Sequence, residues 1–196
     1  MDEFLPRPAY AGLLPRETNA SAGVLVVEES FALATMIARK DSLPALRARV
    51  LATHGLDLPD GPRVAGGPEL SFLATAPGAW LALSLQAQDI DARLGADVGD
   101  LASVADQSDG SAVLRLSGPR VRDTLAKGFS VDLHPTRFGP GSAAVTSVAH
   151  MGAILWRMPG ADAPAPAFHL AVFRSYAESV WHWLSVSAAE YGIGAG

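Results

Sequence analysis

Short apolar runs alternate with stretches of helical periodicity along most of the chain. Apolar and β-branched runs predict strands over 31–39, 70–76, 80–85, 101–106, 112–116, 143–150, 153–158 and 168–172, and residues 24–28 form a further short β-branched run. Apolar residues at helical spacing, bounded by capping and breaking residues, predict helices over about 42–54, 86–94, 117–128 and 175–191.

Turn-forming residues separate three pairs of neighbouring strands, and each pair is predicted to form a hairpin. The turns are Pro77-Gly78, Asp109-Gly110 and Met151-Gly152. Asp109-Gly110 is the strongest of these signals, because a tight hairpin turn requires positive φ at both central residues.

The element order is β-α-β-β-α-β-β-α-β-β-β-α. Helices that recur between hairpins are typical of an α+β fold, with antiparallel or mixed sheets and helices packed on one face. The order is similar to split β-α-β units of the ferredoxin-like type. Residues 23–196 are predicted to form a single α+β domain, with two lobes of about 23–100 and 101–196 as a further option.

Residues 1–22 are predicted to form an extended N-terminal arm. Pro6, Pro8 and Pro15 block regular helix, while Tyr10 and Leu13 are too apolar for a freely disordered tail. The arm is therefore expected to lie on a surface, either its own or a partner's, and Tyr10 and Leu13 become candidate partner contacts. A frayed terminus is the alternative.

Composition and charge narrow the class of protein. The sequence has 196 residues, of which 49% are hydrophobic and 18% charged, enough apolar material for a packed core. A net charge of −5 disfavours nucleic-acid binding, which requires a basic face. The N-terminus has no basic and apolar leader, and no apolar run approaches the roughly 20 residues of a membrane span. A cytoplasmic protein that does not bind membranes is expected.

Motifs that carry chemistry are absent from the sequence. There is no cysteine, and the five histidines lack metal-ligand spacing. Nucleophile elbows, phosphate-binding loops and dinucleotide fingerprints are also missing. We therefore predict no catalytic, cofactor-binding or metal-binding residue. A helix start at Ser117-Gly118-Pro119, with Arg120 and Arg122 nearby, is open to an anion, but ordinary helix capping is the preferred interpretation.

Two tryptophans on the last predicted helix are candidate interface residues. Trp181 and Trp183 are two positions apart, so they cannot share one helix face. One can enter the core while the other lies at its edge or in an interface, where tryptophan is enriched.

Five segments in the C-terminal half resemble the sarcosine oxidase gamma subunit family. They include the Asp109-Gly110 turn with the helix after it, the His150-Met151-Gly152 and Leu155-Trp156 pairing, and the closing tryptophan helix. Together the segments are fairly specific for this family. They are residues 105–128, 131–135, 138–141, 150–156 and 174–184. The N-terminal half resembles the family less clearly.

The resemblance carries expectations about fold and partners. This family is similar to the folate-binding domain of the glycine-cleavage aminomethyltransferase, which implies the same α+β fold. It also implies a heterotetramer that oxidatively demethylates sarcosine to glycine. In such enzymes FAD, FMN, NAD and tetrahydrofolate lie on the alpha and beta subunits and zinc on delta, while gamma contacts mainly alpha.

Two functions follow from the resemblance. The first is a structural or assembly subunit with no chemistry of its own. The second is a folate-binding module with its own one-carbon, aminomethyltransferase-like activity, which requires a pocket with an acidic residue placed for the pterin.

Overall fold

The computed structural model describes residues 7–17, 19, 21–86, 88–160 and 166–196. These residues form eleven strands and four α-helices. In chain order they are β1 (Val24–Glu28), β2 (Ala32–Ala38), α1 (Leu43–His54), β3 (Val64–Gly66), β4 (Ser71–Ala76), β5 (Ala79–Ser84), α2 (Ile90–Val98), β6 (Ala102–Asp106), β7 (Ser111–Ser117), α3 (Val121–Leu125), β8 (Ala143–Val148), β9 (Met151–Trp156), β10 (Phe168–Phe173), α4 (Ala177–Ala188) and β11 (Ile193–Ala195).

The strands form two separate sheets. The six-stranded sheet has the order β11-β1-β7-β10-β9-β8, and the five-stranded sheet has the order β3-β4-β5-β2-β6. Only the β1–β11 pair is parallel among the named pairs, so one sheet is mixed and the other antiparallel. The predicted α+β class with antiparallel and mixed sheets is confirmed.

The two sheets pack face to face, and helices cover their outer faces. Alternation along β2 illustrates the layering, because Ala34 and Met36 pack with α1 and α2 whereas Leu33 faces the other sheet. On the six-stranded sheet, Leu170 packs with Leu184 of α4 in a second outer core. Each sheet thus carries helices on one face and the opposite sheet on the other.

The chain exchanges strands between its two halves. Strand β1 comes from the first half but pairs with β7 in the six-stranded sheet. Strand β6 follows α2 and pairs with β2 in the five-stranded sheet. The division into lobes at about residue 100 stays a prediction, and both sheets draw on residues from both sides of it.

The hairpin predicted around Asp109-Gly110 is wrong. Strand β6 pairs with β2, and β7 pairs with β1 and β10, so the two strands belong to different sheets. Neither Asp109 nor Gly110 adopts positive φ. Strand β7 lies instead between β1 and β10 in the middle of the six-stranded sheet, where Val113 and Leu114 are buried on its two faces.

The other two predicted hairpins are confirmed. Strands β4 and β5 meet at Pro77-Gly78, where Gly78 has φ of 73°. Strands β8 and β9 also pair, but their turn is Ala149-His150, with φ of 45° and 71°. Met151 and Gly152 pair with Val148 and Ser147, so the predicted turn residues belong to the ladder instead.

The observed helix boundaries differ most from the predicted ones where tertiary packing outweighs the local sequence signals. Helix α2 begins at Ile90 rather than at residue 86, and it continues through Gly95 to Val98. Ile90, Leu94 and Val98 are all buried at four-residue spacing, which holds the helix on the sheet beyond the glycine. Helices α3 and α4 are shorter than predicted, and β3 and β11 had no prediction.

Ser108 lies in the segment that connects β6 of one sheet to β7 of the other, and its hydrogen bonds predict the effect of Ser108→Ala. Its hydroxyl lies 2.6 Å from Asp106 Oδ1 and accepts a bond from the Leu33 amide at 3.0 Å. Ser108→Ala leaves that amide unpaired, so we expect a loss of about 1–2 kcal/mol in the free energy of unfolding, measured by urea denaturation. Ser103→Ala, on the exposed part of β6, is the control.

The effect of Ser108→Ala should depend on pH. The Ser108 hydroxyl and then its amide lower the pKa of Asp106 in the folded chain. A lowered pKa gives stability that is present above the unfolded value of 3.8 and is lost as the pH falls through the folded value. The wild-type advantage should therefore shrink below pH 3.8. An advantage that grows on acidification would contradict the assigned hydrogen bonds.

Candidate functional site

The described part of the arm lies on the chain's own core. Tyr10 is 1% exposed and packs in the outer core of the six-stranded sheet, where Leu13 is partly buried against the same cluster. The amides of Ala9 and Tyr10 donate to the Glu28 carboxylate, the first at 2.6 Å. Tyr10 thus meets the chain's own core, the first of the two surfaces predicted for the arm, and its contact with a partner stays a prediction.

Trp181 and Trp183 both lie at the edge of the same core. Each side chain is half-buried and packs against the core cluster. The Trp183 ring meets Phe129 edge to face, with centroids 6.1 Å apart, and covers Gly128. Each indole keeps an exposed portion, so the interface role of Trp181 and Trp183 stays a prediction, as does that of Leu13.

The helix start considered for an anion is occupied by internal contacts. Helix α3 begins at Val121 and is only five residues long. The Arg120 guanidinium lies 3.2 Å from Asp123 and over the Tyr191 ring at 4.6 Å. Arg122 donates to the Leu133 carbonyl. Both cations are thus held by the chain itself, which agrees with the structural interpretation of this segment.

His169 lies in a buried cluster with two aromatic residues, which the sequence did not indicate. His169 is 6% exposed, and its Nε2 lies 3.0 Å from Glu29 Oε2, although the pair lacks hydrogen-bond geometry. The His169 ring stacks on Trp156 at 5.2 Å, and Phe31 meets both rings edge to face. Only the register of β10 and the position of Glu29 bring these residues together. Because the Trp156 and Phe31 rings pack against the His169 ring, the cluster contributes to the packing of the core.

Several clefts indent the surface of the described residues. The largest, about 730 Å³, lies between α1, α2 and the loop before β4, with His54, Glu69 and Arg93 on its walls. His54 Nε2 lies 3.2 Å from Asp97 Oδ2. This cleft carries both signs of charge. A second, of about 330 Å³, lies beside the arm and Arg174.

The third cleft opens between the inner faces of the two sheets, and we call it the sheet cleft. Its volume is about 390 Å³, and all of its lining side chains are uncharged. Thr35 and Leu81 line it from the five-stranded sheet, and Val145, Ile154 and Phe173 line it from the other. Phe173 is 64% exposed and Val145 is 56% exposed. Exposed apolar side chains around an uncharged cleft are typical of a contact surface.

Neither a metal centre nor a membrane span is found in the described ranges. No group of three or more metal-ligating side chains lies close enough together there to hold an ion. No described helix is long and apolar enough to cross a bilayer.

The fold and the clefts define an α+β domain of two face-to-face sheets flanked by helices, with an uncharged cleft between the sheets. The chain belongs to the sarcosine oxidase, gamma subunit family, whose model matches residues 39–190. Curated sarcosine oxidase gamma subunits are similar to it. A sarcosine oxidase subunit gamma of Arthrobacter sp. is 30% identical over 178 residues, 88% of this chain and 84% of the relative.

The second relative covers less of both proteins. It is a sarcosine oxidase subunit gamma of Corynebacterium sp. (strain P-1), 32% identical over 130 residues. That alignment spans 65% of this chain and 62% of the relative's length.

Solved structures agree with this assignment. One chain of the heterotetrameric sarcosine oxidase from Corynebacterium sp. U-96, in complex with pyrrole 2-carboxylate, matches with a TM-score of 0.80 and 25% identity. The match covers 95% of this chain and 96% of that one. The glycine cleavage system aminomethyltransferase T from Bartonella henselae matches with a TM-score of 0.60 at 17% identity, over 84% of this chain and 46% of that one. The second match shows a shared fold alone.

The contact between Gly128 and Trp183 predicts the effect of Gly128→Ala. A Cβ at Gly128 would lie 2.5 Å from Trp183 Cζ2, so the indole must move. We expect a shifted tryptophan emission spectrum and a loss of about 1–3 kcal/mol in the free energy of unfolding. Gly95→Ala, whose Cβ meets nothing within 4 Å in a helix, should be neutral or stabilising. Unchanged emission and stability in Gly128→Ala would contradict the packing.

The burial of Tyr10 predicts contrasting effects of two substitutions. Its hydroxyl has no hydrogen-bond partner among the described residues, and burial followed by the Glu28 charge raises the pKa of the phenol. Tyr10→Phe should keep the free energy of unfolding or raise it by up to about 1 kcal/mol, whereas Tyr10→Ala should lower it by about 3–5 kcal/mol. Urea denaturation measures both, and a Tyr10→Phe variant as unstable as Tyr10→Ala would contradict this account.

Proposed function

We propose that this chain is a non-catalytic structural and assembly subunit of a heterotetrameric sarcosine oxidase, a complex that oxidatively demethylates sarcosine to glycine. The observation that carries the proposal is the match to one chain of such a complex over nearly the full length of both chains. The family assignment over residues 39–190 supports it independently.

The surface of the chain is consistent with a supporting role. The sheet cleft has no charged side chain to activate a nucleophile or to hold a proton. In our proposal the chemistry takes place on the alpha, beta and delta subunits, with alpha as the main contact. FAD, FMN, NAD, tetrahydrofolate and zinc would be held by those partners, and the complex would work in the cytoplasm.

The alternative is a folate-binding module, raised by the shared fold with an aminomethyltransferase. The described residues fit this group poorly. The sheet cleft lacks an acidic side chain for a pterin. In the cleft beside the arm, Glu28 accepts the arm amides, Glu29 faces His169, and Arg174 donates to the Arg7 carbonyl. Glu28, Glu29 and Arg174 are thus already engaged, and we favour the assembly role because the match to one chain of the complex covers nearly the full length of both chains.

Co-expression tests the assembly role directly. With the alpha, beta and delta subunits of the same organism, the chain should co-purify in equal proportion, because its exposed apolar surface is buried in the complex. Omitting it should lower the yield of active complex several-fold. A chain that elutes alone beside a fully active alpha–beta–delta complex would contradict the proposal.

Calorimetry with tetrahydrofolate separates the two functions. The isolated chain should give no binding heat at micromolar concentrations, since the sheet cleft offers no acid for the pterin. A micromolar dissociation constant would favour the folate-binding module. An established tetrahydrofolate-binding aminomethyltransferase in the same buffer is the positive control.

A further inference from the structure

Strand β6 is an end strand that the described chain leaves uncovered. The other three sheet ends are closed by backbone contacts. The β3 and β8 ends meet through Val64 N and Gly141 O at 3.0 Å, and Ala143 N and Pro62 O at 2.9 Å. The β11 end is covered where Ala195 N donates to Glu17 O at 3.2 Å. β6 pairs with β2 on one side, and its other side faces outward.

The register fixes which backbone groups of β6 point outward. Gln107 N donates to Leu33 O at 2.8 Å, and Arg39 N donates to Leu101 O at 2.9 Å. Bonded pairs alternate along an antiparallel ladder, so odd-numbered residues of β6 bond to β2. The amides and carbonyls of Ala102, Val104 and Asp106 therefore point away from the sheet. No hydrogen bond to these backbone groups is found among the described residues.

The surface beside this edge is uncharged and partly apolar. Ala105 lies opposite Thr35, and Ser103 lies opposite Ile37, on the face turned away from α1 and α2. Ile37 is 50% exposed, and Thr35 continues into the sheet cleft. Side chains of an added strand on this face would therefore extend the lining of the sheet cleft.

The edge lacks the devices that normally prevent strand addition. Exposed edges in soluble proteins usually carry lysine, proline, a bulge or a covering segment. Strand β6 reads Ala-Ser-Val-Ala-Asp, with one charge at its final position. It is five residues long and pairs with β2 in unbroken register. An unblocked edge beside exposed apolar side chains is suited to receive a strand.

We propose that an extended segment of a large partner subunit adds to β6 as a further strand of the five-stranded sheet. This inference rests on the proposed assembly function and names the surface through which it operates. Backbone hydrogen bonds to Ala102, Val104 and Asp106 would hold the segment. Its alternate side chains would be apolar where they meet Ala105 and Ile37.

Charge favours a different protein over a second copy of this chain. Residues 97–110 contain four aspartates and no lysine, arginine or histidine. Two copies paired through β6 would bring these acidic segments close together, where like charges repel each other. Arg39 beside Leu101 offsets the charge at one end, which leaves the excess near Asp106. The partner segment should therefore carry a basic residue where it passes Asp106.

Hydrogen exchange tests the added strand at single residues. The chain is measured alone and in its complex with the alpha, beta and delta subunits, with fragmentation that resolves single amides. The amides of Ala102, Val104 and Asp106 should exchange at least about tenfold more slowly in the complex. The amides of Ser103 and Ala105 should be protected in both states, which makes them internal controls.

Each alternative result has a definite meaning. A complex that forms without protecting the three outward amides overturns the strand addition and leaves the assembly function standing. A chain that forms no complex overturns both. Protection that arises in the isolated chain as its concentration rises would identify a second copy as the occupant, against the proposal.

Substitutions on the edge provide a second test. Val104→Pro removes an outward amide without touching a bond to β2, and Ala105→Lys places a charge on the uncharged face. Both should weaken binding to the partner subunits at least about tenfold. Ala52→Lys on the exposed face of α1 is the matched control and should bind as the wild type does.

Thermal melting of the free variants separates interface effects from folding effects. Ala105→Lys changes only an exposed side chain and should melt near the wild-type temperature. Wild-type affinity in both edge variants would overturn the proposal. Weakened binding in Ala105→Lys, at unchanged melting temperature, supports it even where Val104→Pro fails to fold.

Discussion

The contact between the inner faces of the two sheets is the interaction on which the rest of the structure depends. Leu33 and Leu83 of one sheet meet Trp156 and Ala171 of the other in a common core. Because side chains alternate along a strand, burying one face in this contact leaves the other face for helices. Both sheets use this arrangement, so four layers follow from one apolar contact.

The same contact between the sheets explains where a cleft opens between their inner faces. The chain closes one side, where β3 and β8 meet through backbone hydrogen bonds. Away from that seam the inner faces separate, leaving the uncharged sheet cleft with Phe173 and Val145 exposed. A surface of this composition costs free energy in water and is stabilised when another molecule covers it. The fold therefore provides contact area where its layers part.

Local patterns predicted most of the elements and the pairing within two hairpins, but not the pairing of strands that are distant in the sequence. The periodicity of β2 and α1 and the Pro77-Gly78 turn gave the correct structures, because those signals act within a few residues. The hairpin predicted at Asp109-Gly110 is wrong, because β6 and β7 pair with strands that are distant in the sequence, which a local turn preference does not encode. The pairing of His169 with Glu29 depends on strand order across distant segments, which no short pattern encodes.

Among the candidate contacts, Tyr10 packs in the chain's own core, and an apolar residue in an arm can face either its own core or a partner. The two cases have the same sequence signature, and only the closeness of the arm to Glu28 distinguishes them. The resemblance carried by the C-terminal segments identified the family, which single motifs did not. In the function that we propose, this chain acts through its surfaces, which depend on which strands meet.

The central claim is that this chain supplies contact area while its partners carry out the chemistry. The most direct measurement is sarcosine turnover as the purified chain is titrated into a complex of alpha, beta and delta that lacks it. The account predicts no turnover by the chain alone and an activity that rises and saturates at one equivalent. Turnover by the isolated chain, or an activity that does not respond to its addition, would contradict it.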